Sequence, residues 1–205
     1  MKKLELYVSA ILAGLMIGVG GAVFIGCGKT PVGAVLFAVG LFTVCAWGMA
    51  LFTGRVGYLI GNRPAYLLDL AVIWLGNLTG TVLVGLALRY AKPAYAETAA
   101  EMTAAKLGQA PLQTVLLGVF CGLLMYIAVD HFKNAGPDFG RYVGIFFCVP
   151  AFILAGFEHV VADMFYFALG ASGAQLGGVV RFLVLCTVGN ALGSFLIPLW
   201  KRMKV

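Results

Sequence analysis

The chain has 205 residues, of which 62% are hydrophobic and only 11% charged. A soluble domain needs about 25% charged residues to cover its surface, so the composition excludes an ordinary soluble fold and points to an integral membrane protein. The net charge of +6 is scattered between apolar runs, which argues against a nucleic-acid face, because that needs basic residues gathered on one surface.

The first apolar run, 4–26, is longer than the roughly 7–15 residues of a signal peptide's core, and no A-x-A-like site follows it. It is expected to stay as a membrane helix. A span needs about 20 apolar residues. On that measure six spans are predicted, at 4–26, 31–60, 65–90, 111–132, 140–170 and 178–200, with Gly and Pro marking most of the turns between them. The second and fifth are about 30 residues long, more than a bilayer requires. Each is interrupted midway, the second by "WGMALFTGRVG" and the fifth by "GFEHVVADMF". Broken helices are tolerated in a membrane only where the freed backbone lines a cavity or is buried in protein. Between spans three and four, the Ala-rich segment "RYAKPAYAETAAEMTAAKLGQAP" predicts a short helix at the interface. No soluble domain is left over, so 1–205 reads as a single transmembrane channel domain.

With both termini inside, nine Lys and Arg fall on the cytoplasmic side and five outside, which favours that orientation in the cytoplasmic membrane. The five cysteines lie in or beside apolar runs, are odd in number and form no C-x-x-C, so they read as small apolar fillers. Two histidines are too few for a multi-histidine metal site. No metal and no cofactor are expected.

The two halves of the chain, about 1–90 and 111–205, resemble each other. "GNLTG" (Gly76 to Gly80) matches "GNALG" (Gly189 to Gly193) at an offset of 113. The same offset places "MALF" (Met49 to Phe52) on "ADMF" (Ala162 to Phe165), and hence Ala50 on Asp163. "ILAGLMIG" (Ile11 to Gly18) resembles "VLLGVFCG" (Val115 to Gly122), with two glycines four apart in each. Three spans per half is odd, so the halves are expected to insert with opposite orientation. Paired interruptions in an inverted repeat are the best sequence pointer to a permeation site near the midplane.

"LFTG" (Leu51 to Gly54), "GNLTG", "GFEHVVADMF" and "GNALG" together resemble the formate–nitrite transporter family, over essentially the whole chain. The resemblance implies an all-α fold of six transmembrane helices, aquaporin-like, with broken second and fifth helices. It implies a homopentamer in the lipid bilayer, with one pore per protomer. The permeants it implies are small monovalent anions or their conjugate acids, such as formate, nitrite or hydrosulfide. Carried over by position, His159 matches the central pore histidine and Thr53 the loop threonine facing it. Lys106 matches a lysine of the outer vestibule, and Asn190 an asparagine near the centre. Phe37, Leu41 and Phe152 match an outer constriction; Leu51 and Phe52 fall on an inner one, with Met125 beside them. Three positions depart from the family pattern. Asp163 stands where an asparagine is usual, and Ala50 where the family often has an acid. Gly122 falls where a pore asparagine is usual, which would enlarge the cavity.

A charge at mid-bilayer costs about 2.5–3.5 kcal/mol on the insertion scale, so Glu158, His159 and Asp163 need a reason to be there. Adjacent residues on a helix point about 100° apart. His159 is therefore expected to face the pore while Glu158 ties the broken backbone. A bare anion between Phe and Leu rings carries a large desolvation penalty. It can be relieved by donors, or by a proton taken up near His159, whose unperturbed pKa of about 6.5 suits either role. His131, beside Asp130, reads as a helix end at the inner surface. An aquaporin-type channel for small neutral solutes is the competing function, but its paired N-P-A motifs are absent. A larger monocarboxylate is a further alternative. An enzyme would need a second catalytic set or a metal cluster, and none is read.

Overall fold

The computed structural model describes residues 2–136 and 139–204. It is all-helical among the described residues. The helices are α1 (Lys3–Gly26), α2 (Pro31–Ala46), α3 (Phe52–Arg55), α4 (Tyr66–Ala91), α5 (Pro93–Leu107), α6 (Pro111–Asn134), α7 (Gly140–Leu154), α8 (Val160–Gly170) and α9 (Leu176–Met203). Two short 3-10 segments, Val56–Gly61 and Gly173–Gln175, follow α3 and precede α9. Four of these stretches are long and apolar enough to cross a membrane: α1, α4, α6, and α9 with its 3-10 lead. The shorter apolar helices α2, α7 and α8 belong to the two interrupted segments. The Ala-rich linker forms α5, as its propensity predicts.

Both interruptions are built the same way. Just past the end of α2 stands Gly48, whose φ of +64° lies in the left-handed region, and Met49 N–H returns to Val44 C=O at 2.9 Å. Just past the end of α7 stands Gly156, φ +68°, and Phe157 N–H returns to Phe152 C=O at 2.9 Å. This is the glycine-terminated helix cap that L side chains resist. After each cap the chain runs extended through one residue, Leu51 or His159, before the next helix starts. The irregular backbone is buried in protein, as a membrane requires: Ala50, Leu51, Glu158 and His159 are all at most 3% exposed.

The long helices pack in matching pairs, α1 on α4 and α6 on α9. Small residues let their backbones touch. A Cβ on Gly122 would lie 2.7 Å from Asn190 Cα, and one on Gly14 would lie 2.8 Å from Asn77 Cα. Gly122 therefore packs against α9 and opens no cavity, contrary to the expectation from its position in the family pattern.

These contacts also correct two registers read from the sequence. Gly14 pairs in kind with Gly122, and Gly48 with Gly156, an offset of 108. The glycine match between spans one and four was thus one helical turn out. Ala50 corresponds to Glu158 and not to Asp163. The offset of 113 holds for α4 against α9, where Trp74 Nε1 donates to Thr187 Oγ1, its own counterpart, at 3.0 Å. Five additional residues lie between the second interruption and α9, within the stretch carrying α8 and its turn.

Candidate functional site

The site forms where the two interruptions meet. Asn77 on α4 holds the first. Its Oδ1 accepts from Phe52 N–H at 2.9 Å, and its Nδ2 donates to Ala10 C=O at 2.8 Å and Ala50 C=O at 2.9 Å. Asn190 on α9 holds the second. Its Oδ1 accepts from Val160 N–H at 2.9 Å, and its Nδ2 donates to Gly118 C=O at 2.9 Å and Glu158 C=O at 2.8 Å. Both amides are completely buried, and each supplies partners that the broken backbone would otherwise lack. Asn190 is therefore fully engaged with backbone at the centre of the molecule.

His159 is the N-cap of α8. Ala162 N–H donates to its Nδ1 at 3.0 Å, so in the neutral ring the proton sits on Nε2. Nε2–H then points at Thr53 Oγ1, 2.8 Å away on α3. This one bond joins the two interruptions. One ring face of His159 stacks on Phe152, with centroids 5.4 Å apart and planes at 23°. Phe152 meets Phe37 edge-on at 5.9 Å. Phe37 and Leu41 are each 1% exposed on α2. The structure thus brings Phe37, Phe152, His159 and Thr53 together.

Two cavities flank this junction. One, of about 260 Å³, is bordered by α5 and reaches His159 past Phe152, with Lys106, Gln109, Glu158 and Asp163 in its wall. The other, of about 160 Å³, is lined by Val44, Leu51, Gly54, Arg55, Val129 and Lys133 among others. Leu51 lies in the wall of this second cavity. Phe52 does not join it: its side chain lines an apolar groove between α4 and α9. Met125 is buried in the packed core, 1% exposed.

Lys106, Glu158 and Asp163 form one buried cluster. Lys106 Nζ pairs with Glu158 Oε2 and, at 2.8 Å, with Asp163 Oδ1. Gln109 Nε2 donates to the other Glu158 oxygen at 2.6 Å, and Thr114 Oγ1 steadies Gln109 at 3.0 Å. The Cys186 thiol donates to Asp163 Oδ2 at 3.5 Å. Burial works against the charge on Lys106, but Asp163 and Glu158 more than offset it and hold the ammonium above its ordinary pKa. Sequence reasoning named Lys106 and Glu158 but did not join Asp163 to them. It also missed Gln109 and Asn77, although the offset of 113 already made Asn77 the counterpart of Asn190.

On the far side, Arg55 reaches Gly48 C=O at 3.3 Å, and Lys133 lies over the Tyr58 ring, 3.9 Å from its centroid. Asp130 accepts from Tyr126 at 3.2 Å and from Lys201 at 2.8 Å. His131 Nε2–H donates to Gly140 C=O, 2.9 Å away, beyond the junction.

The family described as "Formate/nitrite transporter" matches residues 1–201. The chain is 27% identical over 215 residues to "Nitrite transporter NirC" of Escherichia coli (strain K12), covering 93% of this chain and 80% of that protein. It is 29% identical over 178 residues to "Uncharacterized transporter YrhG" of Bacillus subtilis (strain 168), covering 80% of this chain and 66% of that one. Among solved structures, an "FNT family ion channel" superposes with TM-score 0.88 at 25% identity, covering 98% of this chain and 91% of the other. A "Pentameric formate channel with formate bound" superposes with TM-score 0.81 at 23% identity, covering 98% and 97%.

Proposed function

The chain belongs to the formate/nitrite transporter family, and on that footing we propose that it is a membrane channel for small monovalent anions of the formate, nitrite or hydrosulfide class and their conjugate acids. It is a multi-pass membrane protein of a transporter family, not an enzyme. The observation that carries the reading is the His159–Thr53 bond, because it joins the two interruptions between one cavity that His159 lines and another lined by Leu51 and Gly54, close to Thr53 in the chain. The names of the relatives supply the substrate class, since they include a nitrite transporter and a formate channel.

The path runs from the α5 cavity past Phe152 and Phe37 to His159 and Thr53, then past Leu51 to the Arg55 cavity. Apolar rings at the narrow points exclude water, and an unpaired anion there is costly. Neutral His159 offers Nε2–H as a donor at the midpoint, where it now serves Thr53. The start of α8 adds its positive dipole end beside the ring. A second proton on His159 would have to displace the Ala162 N–H from Nδ1, so the ring works first as a donor. Proton coupling would need a proton taken up at Nδ1 once that bond opens, with the Nε2 proton then passed to the anion that displaces Thr53. Lys106 and Glu158 are assigned to the wall of the vestibule, and Asn190 to the anchor of the break behind it.

The repeated contacts support two halves of three spans each, inverted in the bilayer, counting each interrupted segment as one span. Trp74 bonding its own counterpart Thr187 is what a two-fold relation between halves would produce on its axis. The excess of Lys and Arg at the Arg55 end favours that end, with both termini, in the cytoplasm. The α5 cavity then faces outward, in the cytoplasmic membrane of the cell. A homopentamer is part of the proposal, supported by the fold shared with a channel described as pentameric.

The test is flux into proteoliposomes for formate, nitrite and hydrosulfide across about pH 5 to 8. Saturable anion flux that collapses in His159→Phe is expected. Unchanged flux in that variant would remove the histidine from the mechanism. Swelling in glycerol without anion flux would establish a neutral-solute channel instead.

A further inference from the structure

The charge balance of the α5 vestibule is not what an anion attractor needs. Lys106 is the single cation among its lining residues, and two carboxylates, Glu158 and Asp163, are paired with it. Both carboxylates are nearly inaccessible, at 3% and 1% exposure. With both ionised the cluster carries a net charge of −1. Among the described residues, the other titratable groups near Asp163 are formally neutral: the Cys186 thiol of α9, which donates to it, the buried Cys121 thiol of α6, and Tyr166 and the Nδ1-accepting His159, which line the same cavity. The opposite vestibule is the reverse. Arg55 and Lys133 line it, and no carboxylate is among its lining residues.

We infer that Asp163 selects the protonation form of the permeant: by outnumbering the Lys106 ammonium it turns the α5 vestibule against free anions and admits the neutral conjugate acid. The inference rests on the reading of the chain as a conduit for weak acids and their anions. It follows from three features of the geometry. The ammonium is committed to two carboxylates and is not free to hold an incoming anion. A like-charged cluster at the mouth lowers the local concentration of anions, and low-dielectric walls strengthen that effect. One proton on the cluster, taken between two carboxylates sharing one cation, restores neutrality. Acid conditions therefore both supply the neutral acid and relieve the repulsion. Asp163 acts here through Lys106 and the field, as a positioning and selecting residue, and need not touch the permeant.

The substitution that isolates this role is Asp163→Asn, which keeps the size of the side chain and leaves Lys106 opposite Glu158 alone. In proteoliposomes, formate and nitrite influx through the wild type is expected to track the neutral acid, falling about tenfold per pH unit over the range where the anion predominates. One proton should enter with each formate, read by a dye in the lumen. Asp163→Asn should show a shallower slope, at least several-fold higher influx at the alkaline end, and fewer protons per formate. Infrared difference spectra of the same preparations give a readout independent of transport. A protonated-carboxyl band should grow in as pH falls in the wild type and be displaced to lower pH in Asp163→Asn. Identical pH slopes in the two proteins, or an unmoved carboxyl band, would overturn the inference while leaving the channel assignment intact. Absence of formate and nitrite flux in the wild type would overturn the channel assignment, and the infrared titration would still decide whether Asp163 governs the charge of the cluster.

Discussion

Asn77 and Asn190 do the same work on opposite sides of the molecule: each takes one helix-starting N–H and gives its two amide hydrogens to carbonyls, one from the interruption and one from the neighbouring long helix. Replacing either by leucine takes the amide partner from two buried backbone groups of the interruption, the helix-starting N–H and the carbonyl two residues before it, and a second acceptor bond from a mid-helix carbonyl. Each of those two groups costs about 1–3 kcal/mol when its partner is lost. Asn77→Leu and Asn190→Leu should therefore each destabilise the protein by about 3 kcal/mol or more, with a large fall in the melting temperature in detergent. A melt unchanged in either variant would mean that water or a rearranged loop replaces the amide.

Gly48 and Gly156 test the caps. Both have φ near +65°, and nothing within 4 Å would meet an added Cβ at either. The cost of alanine there is purely conformational, about 1–2 kcal/mol. Asparagine tolerates this region better, so Gly156→Asn should be milder than Gly156→Ala. Thermal melts of the four variants at the two sites should give the same order at both. Equal melts for Gly, Ala and Asn would show that the left-handed cap is not enforced.

The interruptions were legible in the sequence because their cause is local: glycine, then polar residues, inside a run too long for one span. The pairing of Asn77 with Asn190 was legible too, since both sit in a five-residue motif at the same offset. The register of the other elements was not. Five residues separate the offset of the interruptions from that of α4 and α9, and they fall near a turn, where length is unconstrained by packing. A glycine four residues from another on a helix fits its neighbour equally well one turn up or down, which is how Gly118 came to stand for Gly122. The Lys106–Glu158–Asp163 cluster was hidden for a different reason. Helix α5 carries no motif that fixes its face, so only the fold shows that Lys106 turns inward to the second interruption. Phe52 likewise lies beside Leu51 in sequence yet faces the α4–α9 groove, because successive residues at a helix start diverge by about 100°.

Gly122 was the residue from which a larger cavity was expected, and its packing predicts the opposite behaviour. An added Cβ would lie 2.7 Å from Asn190 Cα and closer still to its carbonyl oxygen. Gly122→Ala should push α6 from α9, with a stability loss of about 1–3 kcal/mol from overpacking. Formate flux should fall with it, because Asn190 fixes Glu158 and Val160. A stable Gly122→Ala channel that passes larger monocarboxylates would show that this glycine faces the path after all.

His159 combines a structural bond at Nδ1 with a functional one at Nε2, and two substitutions separate them. Asparagine can still accept from Ala162 N–H but cannot reach Thr53 as imidazole does. His159→Asn should melt within about 1 kcal/mol of the wild type, as good N-cap residues interchange at small cost, while losing at least about tenfold in flux. His159→Phe should lose the flux and, in addition, the cap, worth about 1 kcal/mol. Equal melts for His159→Asn and His159→Phe would show that the Ala162 bond contributes nothing to stability.

The Lys106 cluster makes a prediction that depends on the order in which charges are removed. Lys106→Met alone strands two buried carboxylates, and breaking a buried pair by deleting one partner costs about 3–5 kcal/mol. The effect should sit toward the lower end, because Lys106 retains 15% exposure to the vestibule. Adding Asp163→Asn and Glu158→Gln in the Lys106→Met background removes the stranded charges. Gln109 and the Cys186 thiol still have oxygens to bond. The triple variant should then recover most of the loss, so that three substitutions are more stable than one. Asp163→Asn in the wild-type background should cost little, since it relieves the crowding of two carboxylates on one ammonium. The coupling read from melts of this cycle should be well above the few tenths of a kcal/mol that independent sites show. A triple variant no more stable than Lys106→Met would mean that the carboxylates are already neutralised without the lysine.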